Sequence, residues 1–323
     1  DRLSLGFNYY KSYVNNMLAY KTLGGVSGLR NYWSNEGKME NQGFDVAAVA
    51  KVMALKDFSW EISASVGHYK NEVTALPDND KTVYTSVYGG EVMTKVGNPV
   101  GLFYGYKTQG VFATSEEAAE TDLRNGSKNG SAFRAGDVHF SDLVADGVID
   151  NKDKDVIGNP NPDVFGNFGT SLHYKNWTLD AFFSYSLGND IYNYQRAVLE
   201  SGNSYYNQTT AMLNRWTSEG QLTSIPRVEY GDRMGNARFS DRWIEDGSYL
   251  KLKTLSLSYR FPFNLTFLQG ITVWGAANNL FTCTKYLGSD PELSISGNPI
   301  YQGIDRGLLG HGRSFVLGVK INP

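Results

Sequence analysis

The chain has little of several things that define other protein classes. Among its 323 residues there is one cysteine, Cys283, so no internal disulfide can form and no redox compartment is implied. The four histidines, His68, His139, His173 and His311, stand far apart and never at a metal-ligand spacing such as H-E-x-x-H. The 30 basic residues are scattered among 33 acidic ones without a run of one sign, which excludes a nucleic-acid footprint. Long apolar runs are missing too: residues 46–55 are broken by Lys51, whereas a membrane helix needs roughly 20 apolar residues in succession. No G-x-S-x-G elbow, P-loop or dinucleotide glycine pattern occurs, and a pair of glycosidase carboxylates is a three-dimensional quantity that a sequence does not show. The expectation is a protein without enzymatic activity.

What the chain does have is aromatic residues and glycine. Aromatics make up 14%, with 21 Tyr, and the 35 Gly are well above the usual ~7%. Strands and tight turns use those residues. The aromatic content excludes disorder, and the absence of a three-residue glycine period, with only 9 Pro, excludes collagen.

Alternation supplies the fold class. No charged-then-apolar leader precedes residue 2, and residues 2–13 already read as a strand, with Leu3, Leu5, Phe7 and Tyr9 opposite Ser4, Gly6, Asn8 and Tyr10. The segment starts either after processing or within a longer chain, and the strand at its very beginning points to the second. Over 43–69 two runs flank a short connection at 55–57: Phe44, Val46, Ala48, Ala50 and Val52 share one face of the first, and Trp60, Ile62, Ala64 and Val66 one face of the second. A second pair turns at Lys175 and Asn176, with Phe168, Leu172 and Tyr174 before it and Trp177, Leu179, Ala181, Phe183, Tyr185 and Leu187 after it, opposite Thr178, Asp180, Ser184 and Ser186. A third carries Leu255, Leu257, Tyr259 and Phe261, turns through 262–270 and returns as Ile271, Val273, Gly275 and Ala277. Phe315, Leu317, Val319 and Ile321 alternate at the end.

About ten strands can be counted in this way. Runs of about ten residues suit a tilted strand crossing a bilayer (~9–11 residues) better than a globular strand (~5–6). Alternation alone would also suit a soluble sandwich with the oily faces packed together. The connections are unequal, with turns of two or three residues against long polar stretches at 71–165 and 188–243, and outer-membrane barrels show that asymmetry. Trp60, Trp177 and Tyr185 suit an aromatic girdle. Residues 209–219 read as a short helix that groups Met212, Leu213 and Trp216 behind a Thr cap.

Four segments carry a family resemblance: GNPVGLFYGYKTQGVF at 97–112; GDVHFSDLVADGVID at 136–150 with IGNPNPDVFGNF at 157–168; RWIEDGSYLKLKTLSLSYRFP at 242–262; and NNLFTCTKYLGSDPE at 278–292. In this order they resemble the SusC-like (SusC/RagA) TonB-dependent outer-membrane transporters, over nearly the whole chain. The resemblance implies an all-β antiparallel transmembrane β-barrel of roughly 22 strands, of which residues 1–323 are the C-terminal part. It also implies a plug and a TonB box upstream, neither of which these residues contain, a SusD-like surface lipoprotein as lid, and energised import of an oligosaccharide or peptide. An open sheet edge is not tolerated in hydrocarbon, so the rest of the barrel and its plug are expected partners, with outer-membrane lipid around them. Such barrels commonly finish on an aromatic residue, and this chain finishes on Ile321 and Pro323, so its last residues are expected to lie further on.

Within an acidic insertion at 136–160, residues 142–153 read D-L-V-A-D-G-V-I-D-N-K-D, close to a calcium loop. Asp142, Asp146, Asp150 and Asp153 would give carboxylate oxygens, Val148 its carbonyl and Gly147 the bend. Val144 lacks a donor that such loops normally have, and Asp155 stands near enough to compensate. For a polar ligand, Tyr104, Tyr106, Tyr192, Tyr194, Tyr205, Tyr206 and Trp243 are loop aromatics to consider, although loop aromatics more often pack the loops themselves. Two other readings stay open: a soluble secreted β-sandwich that binds or degrades glycans, and a structural outer-membrane barrel without energy coupling.

Overall fold

In a computed structural model, residues 2–22, 28, 31–77, 81–265 and 268–322 are described. Eight long strands pair in chain order into one antiparallel sheet: β1 (Leu3–Thr22), β2 (Asn31–Ala54), β3 (Phe58–Ala75), β4 (Val164–Tyr174), β5 (Trp177–Leu187), β6 (Tyr249–Leu265), β7 (Leu268–Thr284) and β8 (Ser314–Asn322). Among the described residues the sheet does not close on itself, and β1 and β8 are its two edges. Eight strands form the wall where about ten were expected, and the remaining alternating pieces are short strands in the long connections.

Register turns the alternation of single strands into a property of the sheet. Phe7 pairs with Val46 and Val46 with Val66; Leu5 pairs with Ala48, Ala48 with Ala64, Ala64 with Phe168, and Phe168 with Phe183. Further along, Leu179 pairs with Leu257, Leu257 with Gly275 and Gly275 with Leu317. One face is therefore an apolar belt, interrupted at Thr170, which lies between Ile62 and Ala181 and accepts a hydrogen bond from the Trp60 indole at 2.8 Å. The other carries hydroxyls and charges, as in the row Lys51, Glu61, Ser171, Asp180 and Ser256, where Ser171 donates to Asp180 at 2.6 Å. A single-residue slip would exchange the faces. At the bulge between Lys51 and Met53 such a shift does occur: Met53 opposes Trp60, and Val52 leaves the row that strict alternation gives it.

No second sheet covers this one among the described residues. Leu3, Leu5 and Phe7 are each more than half exposed, Trp177 and Leu257 are exposed, and Trp60, Ile62, Leu179 and Phe183 are only half-buried. The buried core lies elsewhere, in the long connections, which excludes the sandwich reading.

The short turns, 55–57 and 175–176, lie at one end of the sheet, and the connections 76–163, 188–248 and 285–313 all leave from the other. The strands run further than alternation shows, to Ala75 in β3 and to Leu265 in β6, with β7 starting at Leu268, so most of the turn expected at 262–270 is strand; residues 266 and 267 lie outside the described residues, as does Pro323. The helix expected at 209–219 is instead a 3-10 turn over Thr210–Asn214, and Thr209 makes no side-chain cap. Arg215 turns extended (ψ 154°), and the Trp216 amide pairs with the Ile225 carbonyl while its indole donates to the Ala113 carbonyl. Those tertiary bonds compete successfully with a third helical turn, and they leave Leu213 exposed beside buried Met212.

Candidate functional site

The long connections fold into a layer over the loop end of the sheet. Its centre is a four-stranded sheet in the order Lys154–Gly158, Leu102–Tyr106, Gly90–Lys95, Thr82–Val87. The last two strands form a tight hairpin whose turn residues, Tyr88 and Gly89, both take positive φ (45° and 75°), as the twist of a two-residue hairpin requires. Alternation gives this small sheet two faces. Val87, Val92 and Phe103 point into a core with Tyr192, Trp243 and Ile304. Ser86, Glu91, Tyr104, Tyr106 and Lys154 line the opposite face, in an open cleft of about 380 Å³ that Arg238 and Phe239 complete.

Within the cleft, Lys154 Nζ lies 2.9 Å from Glu91 Oε2. The Arg238 guanidinium sits over the rings of Tyr106 and Phe140, 4.9 and 4.6 Å from their centroids. Its hydrogen bonds go to neutral oxygens: Nε to the Gly235 carbonyl at 2.8 Å, and Nη2 to Asn125 Oδ1 at 2.7 Å and the Met234 carbonyl at 2.6 Å. Burial pulls the Arg238 pKa down, partly offset by Tyr106 and the charge of Asp232. Tyr104 packs on Tyr84 at 4.8 Å between centroids, and its phenol is pushed up, first by burial and then by the hydrogen bond with Tyr84.

Of the aromatics singled out in the sequence, then, Tyr104 and Tyr106 come together in one cleft. Tyr192 and Trp243 do not face a ligand: they are 3% and 1% exposed, with the Tyr192 hydroxyl donating to the Tyr88 carbonyl and the Trp243 indole to the Arg238 carbonyl. Each buries its apolar body and satisfies its polar tip, as core aromatics do. Tyr194 packs against Tyr88 and Tyr192. Tyr205 and Tyr206 are exposed, and Tyr205 stacks on Tyr230.

The acidic loop forms one wall of the cleft, because Asn151 and Lys154 emerge directly from it. Gly147 takes φ 75° at the bend, and Ile149 is fully buried. Asp142 accepts the amides of Asp146 and Gly147, and Asp146 accepts that of Val148. Asp153, 1% exposed, accepts those of Leu143, Val144 and Asp150. Lys152 lies 3.9 and 3.7 Å from Asp146 and Asp150. The loop is thus tied internally, and no three of its carboxylates reach within 4.8 Å of one another among the described residues. Asp155 pairs with Lys107 at 2.6 Å instead of turning to the loop.

The sequence did not show a second cluster. Lys251, on the polar face of β6, is 2% exposed along its side chain and lies 2.8 Å from Asp290 and 2.7 Å from Glu292; Lys253 lies 2.6 Å from Glu292, and His311 3.0 Å from Asp290. Asp290, Glu292 and His311 bring ligand atoms within 4.8 Å of each other, but the Lys251 ammonium already serves as their cation. The cluster fastens the connection 285–313 to the inner wall. The available signal was a pair of lysines at the loop end of a polar strand face, followed by an acidic D-P-E about 40 residues on.

A one-layer antiparallel sheet with an apolar belt outside, a polar face inside and every long connection at one end is a portion of an outer-membrane β-barrel wall. No family model matches the chain. It is 30% identical over 334 residues to TonB-dependent receptor P3 of Formosa agariphila, covering 99% of this chain and 32% of that protein. It is 28% identical over 309 residues to TonB-dependent receptor SusC of Bacteroides thetaiotaomicron, covering 89% and 27%. The structure of the RagAB peptide transporter superimposes with a TM-score of 0.78 at 23% identity, over 99% of this chain and 33% of that one. Over nearly its whole length the chain is similar in sequence to TonB-dependent receptors, and it has the fold of a segment of their outer-membrane barrel wall. It spans about a third of the length of these relatives.

Proposed function

We infer that the complete protein imports a polar nutrient, an oligosaccharide or a peptide, across the outer membrane with energy from TonB. A plug supplied by the rest of the chain and a SusD-like surface lipoprotein complete the machine. The observation that carries this reading is the register-matched pair of faces: lipid outside, and inside a hydrophilic wall such as the Glu61, Ser171, Asp180 and Ser256 row. The relatives named as TonB-dependent receptors support coupling, and the fold shared with the RagAB peptide transporter supports import.

The external layer supplies the ligand-facing surface on this reading. Calcium belongs to the proposal as a structural ion of the 142–153 loop. A carboxylate oxygen that accepts one amide keeps further lone pairs, so Asp142, Asp146 and Asp150 can share their oxygens with a cation once Lys152 moves aside and the loop draws the three carboxylates together.

The test is uptake by cells carrying the full-length gene. Accumulation of a labelled ligand that stops on deletion of TonB, together with a surface lipoprotein that co-purifies from native membranes, is the expected result. Uptake indifferent to TonB would favour the structural, uncoupled barrel, and isolation of the protein alone from native membranes would remove the lipoprotein.

A further inference from the structure

The cleft on the small external sheet has a charge balance that calls for a ligand. It holds two cations, Lys154 and Arg238, and one carboxylate, Glu91, which is committed to Lys154 at 2.9 Å. Arg238 is left with two backbone carbonyls, one amide oxygen and two aromatic faces. A largely buried guanidinium whose hydrogen bonds all go to neutral oxygens, with the Asp232 charge acting on it only through space, is a costly arrangement, because buried charges are ordinarily paired. Its planar fork suits a carboxylate better than any other common group.

The surroundings agree with such a guest. The Tyr104 ring and Phe239 offer apolar faces beside the cation, while Tyr106, 8% exposed, backs the guanidinium from the core; Ser86 and Asn151 offer polar groups, and the cleft's volume of about 380 Å³ lies in the ~300–1,000 Å³ range of small-ligand sites. The small sheet, the acidic loop and the 237–239 segment all build it, so its shape does not depend on one mobile loop.

We propose that this cleft is a carboxylate-binding subsite, in which Arg238, held on the buried Tyr106 ring, pairs with the ligand's carboxylate, Lys154 is shared between that carboxylate and Glu91, and Tyr104 packs against the ligand's body. The carboxylate comes either from the C-terminus of a short peptide or from a uronate sugar. The assignment rests on the transport reading for its biological meaning, while the binding itself needs neither TonB nor the lipoprotein.

The experiment is calorimetric titration of the full-length protein in detergent with four probes: tri-alanine, tri-alanine amide, digalacturonate and its methyl ester. Binding of tri-alanine but not of its amide assigns a peptide terminus, and binding of digalacturonate but not of its ester assigns an acidic sugar. In either case Arg238→Gln weakens binding at least tenfold. Since Arg238 also packs on Tyr106 and Phe140, a second variant keeps the test sharp. Glu91→Gln removes the competing anion and tightens binding severalfold, a gain that damage to the fold does not give. Equal binding of charged and neutral probes, no binding of any probe, or no tightening in Glu91→Gln overturns the assignment. TonB-independent uptake with carboxylate binding intact would sink the transport reading and leave the subsite standing.

Discussion

Lys251→Met is the substitution from which the structure predicts most. It removes the ammonium between Asp290 and Glu292, whose side chains are 4% and 13% exposed, and leaves two carboxylates close together. Breaking a buried ion pair by removing one partner costs about 3–5 kcal/mol. Lys253 still reaches Glu292 at 2.6 Å, so the cost falls on Asp290 and the lower end, about 3 kcal/mol, applies. At 1.4 kcal/mol per tenfold, local opening of the connection 285–313 should rise roughly a hundredfold. Hydrogen exchange of that segment in the detergent-solubilised full-length protein reads this directly, with β4 and β5 as internal controls. A double variant, Lys251→Met with Asp290→Leu, should recover part of the protection, since it removes the orphaned charge but frees the His311 and Glu292 amides that Asp290 accepts.

The same cluster predicts a pH window. Burial pushes the Asp290 carboxyl up, but the hydrogen bonds from Lys251 and from the His311 and Glu292 amides outweigh it and hold the pKa at about 2. Glu292 is held low in the same way, with burial opposed by Lys251 and Lys253. A carboxyl depressed on folding stabilises the fold above its unfolded pKa of ~3.9 and loses that contribution as pH falls through the folded value. Protection of 285–313 should therefore be constant from neutral pH to about 4 and decline between about 4 and 2. Unchanged exchange in Lys251→Met, or protection lost well above pH 4, would refute the tether.

Other perturbations have separable outcomes. Leu179→Arg places a charge on the lipid face and should cost about 2–4 kcal/mol in the folded fraction seen by heat-modifiable gel mobility, whereas Asp180→Asn next to it, on the inner face, should leave that mobility unchanged. Asp153→Ala frees three loop amides and should lower stability by about 1–3 kcal/mol, measured by loss of the folded gel band on heating. Calcium titrated into the full-length protein should give heat that Asp146→Ala abolishes, and a flat trace would remove the ion from the account. Gly105→Ala should disturb the cleft, because the added methyl would meet the Phe239 carbonyl at 2.7 Å; limited proteolysis of 237–240 would show it.

Most of the barrel wall was legible because alternation in a membrane strand is enforced on both sides, by lipid and by water, with no mixed environment to blur it. Leu179 and Asp180 could be assigned to opposite faces from sequence alone. The exceptions are local: Val52 sits at a bulge, which costs one residue of parity that no composition signals. The external layer was less legible. Tyr104 and Trp243 look alike as loop aromatics, yet one lines a cleft from a short strand and the other fills a core from a 3-10 turn over Asp241–Trp243, a difference only the tertiary fold makes. Arg238 carried no motif at all. The Lys251 and Asp290 pairing was hidden for a related reason, since a strand and the loop that folds back on it share no periodicity.

The central claim is that the two faces of the sheet meet different solvents. Spin labels placed singly at positions 178 through 184 of β5, in the full-length protein with Cys283→Ser and reconstituted in lipid, test it directly. Labels at Leu179, Ala181 and Phe183 should be relaxed by oxygen dissolved in the bilayer and spared by an aqueous nickel complex. Those at Asp180 and Ser184 should show the reverse or be spared by both where the plug covers them. The same oxygen accessibility at odd and even positions would contradict the account.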